Sequence, residues 1–284
     1  MQKYEPIRYS ILDPTGNITA LVESPVETGR HPAVAAAIME RHPEVEQAGF
    51  LGLVSSSDGP VMGTLRMAGG EFCGNASMCA AALYLLRWQQ AEGIPPAPSE
   101  VSVRLRVSGA AQPVEVRLQR ESEDSFQAGV RMPAALGITE TAFTFEQLTG
   151  LLPVVRMEGI SHIIIEPDSP FRALQNDRAA AEGAVRAWCG TLSADGLGLM
   201  FLDAARSRLT PLVYIPGSGT VFWENSCASG SSAAGMYQAA RTGAPVGLTL
   251  AEPGGSLRVV SDPAGGETWL YGRVRLLLHD SFVP

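Results

Sequence analysis

The amino-acid sequence predicts an α+β protein built from two similar halves, and three observations support this. Segments that alternate apolar and polar residues, such as Val101 to Val107, are typical of half-buried antiparallel strands. Between such segments lie apolar stretches of helical length, for example residues 74–91. After about residue 128 the order of elements starts again, which indicates an internal duplication.

The elements follow in order along each half. In the first half the predicted strands cover 17–23, 101–107 and 114–118, and the predicted helices cover 31–42 and 74–91. The prolines of 93–99 predict a loop. In the second half the predicted strands cover 162–166, 198–203 and 209–215, and the predicted helices cover 173–189 and 227–241.

Two cysteines stand in matching contexts in the two halves. Cys73 lies in Gly-Glu-Phe-Cys-Gly-Asn-Ala and Cys227 in Glu-Asn-Ser-Cys-Ala-Ser-Gly. Each motif predicts a sharp turn into a helix N-terminus, where backbone N–H groups and the helix dipole favour an anion. Such a position is expected to lower a thiol pKa and to bind a carboxylate. The pair therefore predicts two-base proton transfer at one carbon, with one thiolate and one thiol.

Composition excludes several classes of function. A net charge of −8 argues against nucleic acid and anionic membranes as partners, and no apolar run approaches 18 residues, so a cytoplasmic protein is expected. The four cysteines are too sparse for a disulfide scaffold or a metal site. Lys3 is the only lysine, so pyridoxal-phosphate chemistry lacks an internal anchor. We expect no cofactor and no metal.

The motifs resemble the diaminopimelate epimerase family along essentially the whole chain. The resemblance rests on ordered landmarks, namely Gly16-Asn17, Glu46-Gln47, Cys73-Gly74-Asn75, Gly159 with His162, and Cys227 with Ser229-Gly230. It implies two pseudo-symmetric α+β domains, each a barrel-like mixed sheet around a central helix. It also implies racemisation or epimerisation of an amino acid at Cα without a cofactor.

The resemblance also implies domain bounds and a set of site residues. The domains would be 1–128, completed by a C-terminal strand in 268–284, and 129–267, with a homodimer as the candidate assembly. Cys73 and Cys227 would be catalytic. The substrate-binding residues would be Asn17, Glu46, Gln47, Gly74, Asn75, His162, Glu224, Ala228 and Ser229. Other roles remain open. They are a turn role for Asn17, a structural role for His162 and a solvated surface position for Glu46 and Glu224.

Departures from the family pattern indicate a different substrate. The family's distal Glu-Arg pair is replaced by Ser218 and Gly219, and the arginine after the first cysteine is Met78. An arginine fork is the usual means of holding a carboxylate with two hydrogen bonds, so diaminopimelate loses its distal anchor. The motif around Cys73 resembles the histidine racemases of this family, which favours histidine or a similar neutral-to-basic amino acid. The alternatives are a diaminopimelate epimerase with an altered anchor and a small-molecule binding protein.

Overall fold

A computed structural model describes residues 5–52, 62–93, 100–217 and 219–283. Most of the loop predicted at 93–99, and Ser218, therefore lie outside the described residues. The chain divides into two compact units, Met1–Arg131 with Tyr271–Pro284, and Met132–Leu270. The predicted domains, 1–128 with 268–284 and 129–267, stay a prediction, because compactness does not show that each part folds on its own.

The first unit is a closed sheet of eight strands. Its strands are β1 (Ile7–Pro14), β2 (Thr19–Val22), β3 (Gln47–Gly52), β4 (Gly63–Met67), β5 (Val101–Val107), β6 (Val114–Arg120), β7 (Ser125–Met132) and, after the second unit, β16 (Glu267–Phe282). They neighbour one another in the order β1-β2-β3-β4-β5-β6-β7-β16, and β16 also pairs with β1, which closes a barrel. The β2–β3 and β4–β5 pairs are parallel.

Each parallel pair of the first unit requires a crossover, and a helix makes it. The helix α1 (His31–Arg41) joins β2 to β3 and packs Val34 and Ile38 into an apolar cluster with β1, β2 and β3. The helix α2 (Gly74–Glu92) joins β4 to β5 and packs against β1, β2, β4, β5 and β6. Its first ten residues are all buried, so the first turns of α2, which directly follow Cys73, are packed in the core.

The second unit repeats the alternation of antiparallel hairpins and helical crossovers. Its strands are β8 (Gly137–Phe145), β9 (Leu148–Met157), β10 (Ile160–Ile165), β11 (Leu197–Asp203), β12 (Arg208–Ile215), β13 (Thr220–Trp223), β14 (Val246–Glu252) and β15 (Gly255–Asp262). The sheet order is β8-β9-β10-β11-β12-β14-β15, and β13 pairs with β12. The parallel pairs are β10–β11 and β12–β14.

Two helices again make the crossovers. The helix α3 (Arg178–Leu192) packs Val185 and Trp188 on the apolar residues of β10 and β11. The helix α4 (Ala228–Thr242) packs against β9, β10, β11, β14 and β15, and most of its first turns are buried. Cys227 stands at the start of α4, so the second cysteine also begins a buried helix.

One predicted helix has a different start. Residues 173–189 were expected to form one helix, but Arg172–Asn176 form a 3-10 turn and α3 begins after Asp177. Asp177 has extended backbone angles, and its carboxylate accepts a hydrogen bond from the Ala180 N–H at 3.0 Å. Aspartate is a strong N-cap, which explains the break. Within the described part of the chain, no helix is long and apolar enough to cross a membrane.

Candidate active site

Cys73 is the N-cap residue of α2. Its backbone is extended, with φ −135° and ψ 116°, and its Sγ accepts a hydrogen bond from the Ala76 N–H at 3.4 Å. The turn before it is held because the Ser108 hydroxyl donates to the Glu71 carbonyl at 2.8 Å. The thiol thus takes the place that a serine or aspartate oxygen has in an ordinary N-cap. Gly74 is the first residue of the helix.

A network of side-chain amides surrounds the Cys73 thiol. The thiol donates to Gln47 Oε1 at 3.1 Å, and Gln47 Nε2 donates to Asn17 Oδ1 at 2.6 Å. Asn75 Nδ2 donates to the same Asn17 oxygen at 3.1 Å. Asn17 Nδ2 in turn donates to Glu46 Oε2 at 2.6 Å. The five predicted site residues of the first unit that have polar side chains therefore lie in one connected network.

Cys227 is the N-cap residue of α4, with the same local geometry. Its φ is −120° and its ψ 102°, and its Sγ accepts from the Gly230 N–H at 3.3 Å. The Ser229 hydroxyl lies 3.7 Å from the sulfur, and Ala228 is the first helical residue. Position 230 is tightly packed, since a Cβ there would lie 2.2 Å from Met200 Sδ and 3.0 Å from Cys227 Sγ and would require Met200 to shift.

Carboxylates, rather than amides, surround Cys227. Its backbone N–H donates to Glu252 Oε2 at 2.7 Å, and the Ser231 hydroxyl donates to Glu252 Oε1. Burial raises the pKa of the Cys227 thiol well above its ordinary value, and the charges of Glu224 and Glu252 raise it further. The helix N-terminus was expected to lower this pKa. Burial, the largest cause, outweighs the helix N-terminus, so the pKa of Cys227 is raised rather than lowered.

His162 lies in β10 and is completely buried, with 0% of its surface exposed. Among the described residues, neither ring nitrogen has a hydrogen-bond partner, and burial lowers the pKa of the ring to about 3. Its Nδ1 lies 2.4 Å from the point where a Cβ on Gly198 would stand, beside Met200 Cε. The imidazole is therefore neutral and enclosed in the core, and its role as a substrate contact stays a prediction.

The structure thus groups most of the predicted residues around their own cysteine. Glu224, Ala228 and Ser229 accompany Cys227, whereas His162 lies beside Met200 in the core. Cys79 and Cys189 are buried in the core. In the described ranges, no three His, Cys, Asp or Glu side chains form a metal-ligand set.

Sequence reasoning missed Thr19, Met200, Ser231 and Glu252. A signal for Glu252 was available, because Leu248, Leu250 and Glu252 alternate along β14 and the last two are buried. A carboxylate at an inward position of an alternating strand needs a partner. Thr19 accepts from Gln47 Nε2 at 2.8 Å, and no feature of the sequence predicts that contact.

The family model described as the histidine racemase CntK N-terminal domain matches residues 6–270. The chain belongs to this family. A histidine racemase from Staphylococcus aureus strain Mu50 is 29% identical over 273 residues, which cover 94% of each chain. A histidine racemase from Fusobacterium nucleatum is also 29% identical, over 83% of this chain and 82% of its own.

Solved structures show a shared fold at low sequence identity. A probable proline racemase from Agrobacterium radiobacter K84 has a TM-score of 0.69 at 14% identity, covering 96% of this chain and 92% of its own. A hydroxyproline epimerase from Agrobacterium vitis, with bound trans-4-hydroxy-L-proline, has a TM-score of 0.68 at 14% identity, covering 99% and 93%. The fold is thus proline racemase-like.

These findings confirm two predictions made from the sequence. The predicted likeness to histidine racemases is confirmed, and so is the predicted enzyme class, an isomerase of the amino-acid racemase type. The substrate, the two-cysteine mechanism and the likeness to diaminopimelate epimerases proper stay predictions.

Proposed function

We propose that the protein is a histidine racemase that inverts Cα with Cys73 and Cys227 as its two acid–base groups. One observation carries this proposal. Each cysteine is the N-cap of a buried helix, with a sulfur that accepts an N–H hydrogen bond from the third helical residue. Two such thiols in a member of a histidine racemase family match the need of inversion for one base and one acid.

The proposed reaction begins with a thiolate at Cys73 and a thiol at Cys227. The Cys73 thiolate takes the α-proton of one enantiomer, and Cys227 delivers its proton to the opposite face of the carbanion. Backbone N–H groups at the two helix starts, Gly74 with Asn75 and Ala228 with Ser229, are proposed to bind the α-carboxylate and to stabilise the developing charge. The reverse reaction starts from the opposite protonation state.

The substrate is proposed from the charge around the cysteines. Glu46 and Glu224 are half-buried carboxylates near Cys73 and Cys227, and a carboxylate attracts an imidazole N–H or an ammonium group. Gly219 has no side chain to hold a second carboxylate, which disfavours diaminopimelate. His162 is also proposed as a substrate contact. The relatives named histidine racemase support histidine as the first substrate to test.

The test is exchange of the α-proton in D₂O. Each L-amino acid and diaminopimelate is incubated with the enzyme, and loss of the α-proton signal is followed by NMR. We expect washout with histidine and little or none with diaminopimelate. Washout that is fastest with diaminopimelate would favour the epimerase alternative. Binding of an amino acid without any washout would favour the binding-protein alternative.

We also propose that the two units are copies of one α+β motif. Support comes from their matching pairings, since β1-β2-α1-β3-β4-α2-β5-β6 and β9-β10-α3-β11-β12-α4-β14-β15 share the same sequence of parallel and antiparallel neighbours. A homodimer and a cytoplasmic location stay proposals. The assembly is tested by light scattering and the location by fractionation.

A further inference from the structure

The turn between β14 and β15 is fastened to the segment that carries Cys227. Glu252, the last residue of β14, accepts the Cys227 N–H at 2.7 Å. Gly254 N–H donates to the Asn225 carbonyl at 2.7 Å, and the Ser231 hydroxyl donates to the second Glu252 oxygen. Three hydrogen bonds therefore tie one hairpin turn to both sides of the N-cap.

The carboxylate at the centre of these bonds is buried, with 7% of its surface exposed. A buried carboxylate is costly and is kept only when hydrogen bonds compensate it. Here both compensating donors belong to the segment around Cys227. They are the backbone N–H of Cys227 and the hydroxyl of Ser231, one turn into α4. These hydrogen bonds couple Glu252 to Cys227, and the charge of Glu224 also acts on Glu252.

We propose that Glu252 is a positioning residue that holds Cys227 at the helix N-cap and, when ionised, opposes loss of the thiol proton that Cys227 donates to the substrate. This inference rests on the proposed function in one respect, since it assumes that Cys227 transfers a proton. The protonated thiol is needed because a racemase with two thiolates has a base on each face of the carbon but no acid.

The direction of the charge effect follows from burial and from neighbouring charges. Burial raises the pKa of Glu252 to about 8, the charge of Glu224 raises it as well, and the bonds from Ser231 and the Cys227 N–H lower it. Below pH 8 the carboxyl is therefore largely neutral. Above pH 8 it ionises, and its negative charge opposes formation of the Cys227 thiolate, which moves the thiol titration to still higher pH.

Few other charged groups act on this pair. Glu224, before the N-cap, is the one further carboxylate that raises the pKa of Cys227, and the Ser229 hydroxyl acts in the opposite direction. Arg208 on β12 and Arg258 on β15, the strands beside β14, are exposed to solvent. His162 on β10 is neutral. Removing the Glu252 charge should therefore change the Cys227 titration directly.

The experiment is a pH titration of cysteine by NMR in protein labelled with ¹³C at cysteine Cβ. Only four cysteines contribute signals, and Cys227→Ala assigns the one of interest. In Glu252→Gln we expect the Cys227 midpoint to fall by about one pH unit, the size of a single close charge interaction. The wild-type signal should also show an inflection near pH 8 that the variant lacks.

Glu166→Gln is the matched control. Glu166 is a carboxylate that also binds α4, but through Tyr237 and Arg241 in the helix's C-terminal half. Its removal should leave the Cys227 titration unchanged. A Cys227 midpoint that stays the same or rises in Glu252→Gln overturns the proposal, and so does an equal shift in Glu166→Gln.

A second variant keeps the proposal testable if Glu252→Gln does not fold. Ser231→Ala removes one donor from Glu252, so the inflection near pH 8 should move to higher pH. An unmoved inflection would contradict the coupling. Because these titrations need no substrate, they fail or succeed independently of histidine racemisation.

Discussion

The two cysteine caps have the same backbone but opposite surroundings. Both sulfurs accept the N–H of the third helical residue. Cys73 is half-buried and contacts a neutral amide of Gln47, whereas Cys227 is 5% exposed and lies among carboxylates. Helix position alone therefore does not determine the pKa of an N-cap thiol, because burial and nearby charges raise that of Cys227.

The serine one turn into each helix shows how the difference is built. Ser77 stands four residues after Cys73, and its hydroxyl donates to the Cys73 carbonyl at 2.7 Å. Ser231 stands four residues after Cys227, but its hydroxyl donates to Glu252. A serine at the same position thus bonds back to the cap residue in the first helix and to a buried carboxylate from another segment in the second.

The largest expected effect comes from removing either thiol. Cys73→Ala and Cys227→Ala should each reduce racemisation by about a thousandfold or more, since each removes an acid–base group that inversion needs. The measurement is the rate of circular-dichroism loss with L-histidine and with D-histidine. Cys189→Ala is the control, because the buried Cys189 thiol in α3 donates to the Ala194 carbonyl just after that helix. Substantial activity in either of the first two variants would refute the two-base mechanism.

A smaller effect is expected from making the first cap resemble the second. Gln47→Glu would put a carboxylate in contact with the Cys73 sulfur, which now lies 3.1 Å from the amide oxygen. The added charge should raise the pKa of Cys73 and reduce activity at neutral pH by about tenfold or more, with partial recovery at higher pH. The measurement is the pH profile of kcat/KM. Unchanged activity and an unchanged profile would mean that the amide surroundings of Cys73 are irrelevant to its ionisation.

The converse change removes a negative charge near the second cap. The Glu224 charge raises the pKa of Cys227, so Glu224→Gln should lower it and increase the thiolate fraction at a given pH by up to about tenfold. The rate of iodoacetamide labelling of Cys227, followed by peptide mapping, measures this. Glu182→Gln is the control, because this carboxylate bonds Trp223 rather than the cysteine. Slower labelling of Cys227 in Glu224→Gln would contradict the assigned sign.

The sequence predicted the elements best where periodicity or capping was strong. Strand 101–107 was placed with its exact bounds as β5, and the helix at 74–91 ends one residue from the observed Glu92. Strands such as β8 and β9 were not predicted, because their apolar residues do not alternate cleanly and Pro153 lies within β9. Asp177 was not recognised as a cap, so α3 was begun too early.

The site was predicted unevenly for a physical reason. The residues around Cys73 follow landmarks of the family, so Asn17, Gln47 and Asn75 were named in advance. Glu252 lies 25 residues after Cys227 and approaches it only because a hairpin turn folds against the N-cap. Contacts between distant segments of this kind depend on strand order and register, which local patterns do not specify.

The smallest expected effect is a difference between Ser231→Ala and Ser77→Ala in the free energy of unfolding. Ser231→Ala leaves a buried carboxylate with one donor fewer, so it should lower the free energy of unfolding by about 1–3 kcal/mol. Ser77→Ala should cost less, about 0.5 kcal/mol or below, because the Cys73 carbonyl still accepts the Ser77 N–H at 3.0 Å and alanine favours the helix. Urea unfolding, followed by fluorescence, measures both.

The pH dependence sharpens this last comparison. The folded-state pKa of Glu252 is about 8, above the ordinary value of 4.5, so the unfolded chain loses this proton first. The wild-type protein should therefore lose stability as the pH rises from about 4.5 to 8. Ser231→Ala removes a donor that favours the ionised form, so its cost should be larger at pH 9 than at pH 6. The cost of Ser77→Ala should not change between these pH values, and equal behaviour of the two variants would mean that Ser231 does not support the Glu252 charge.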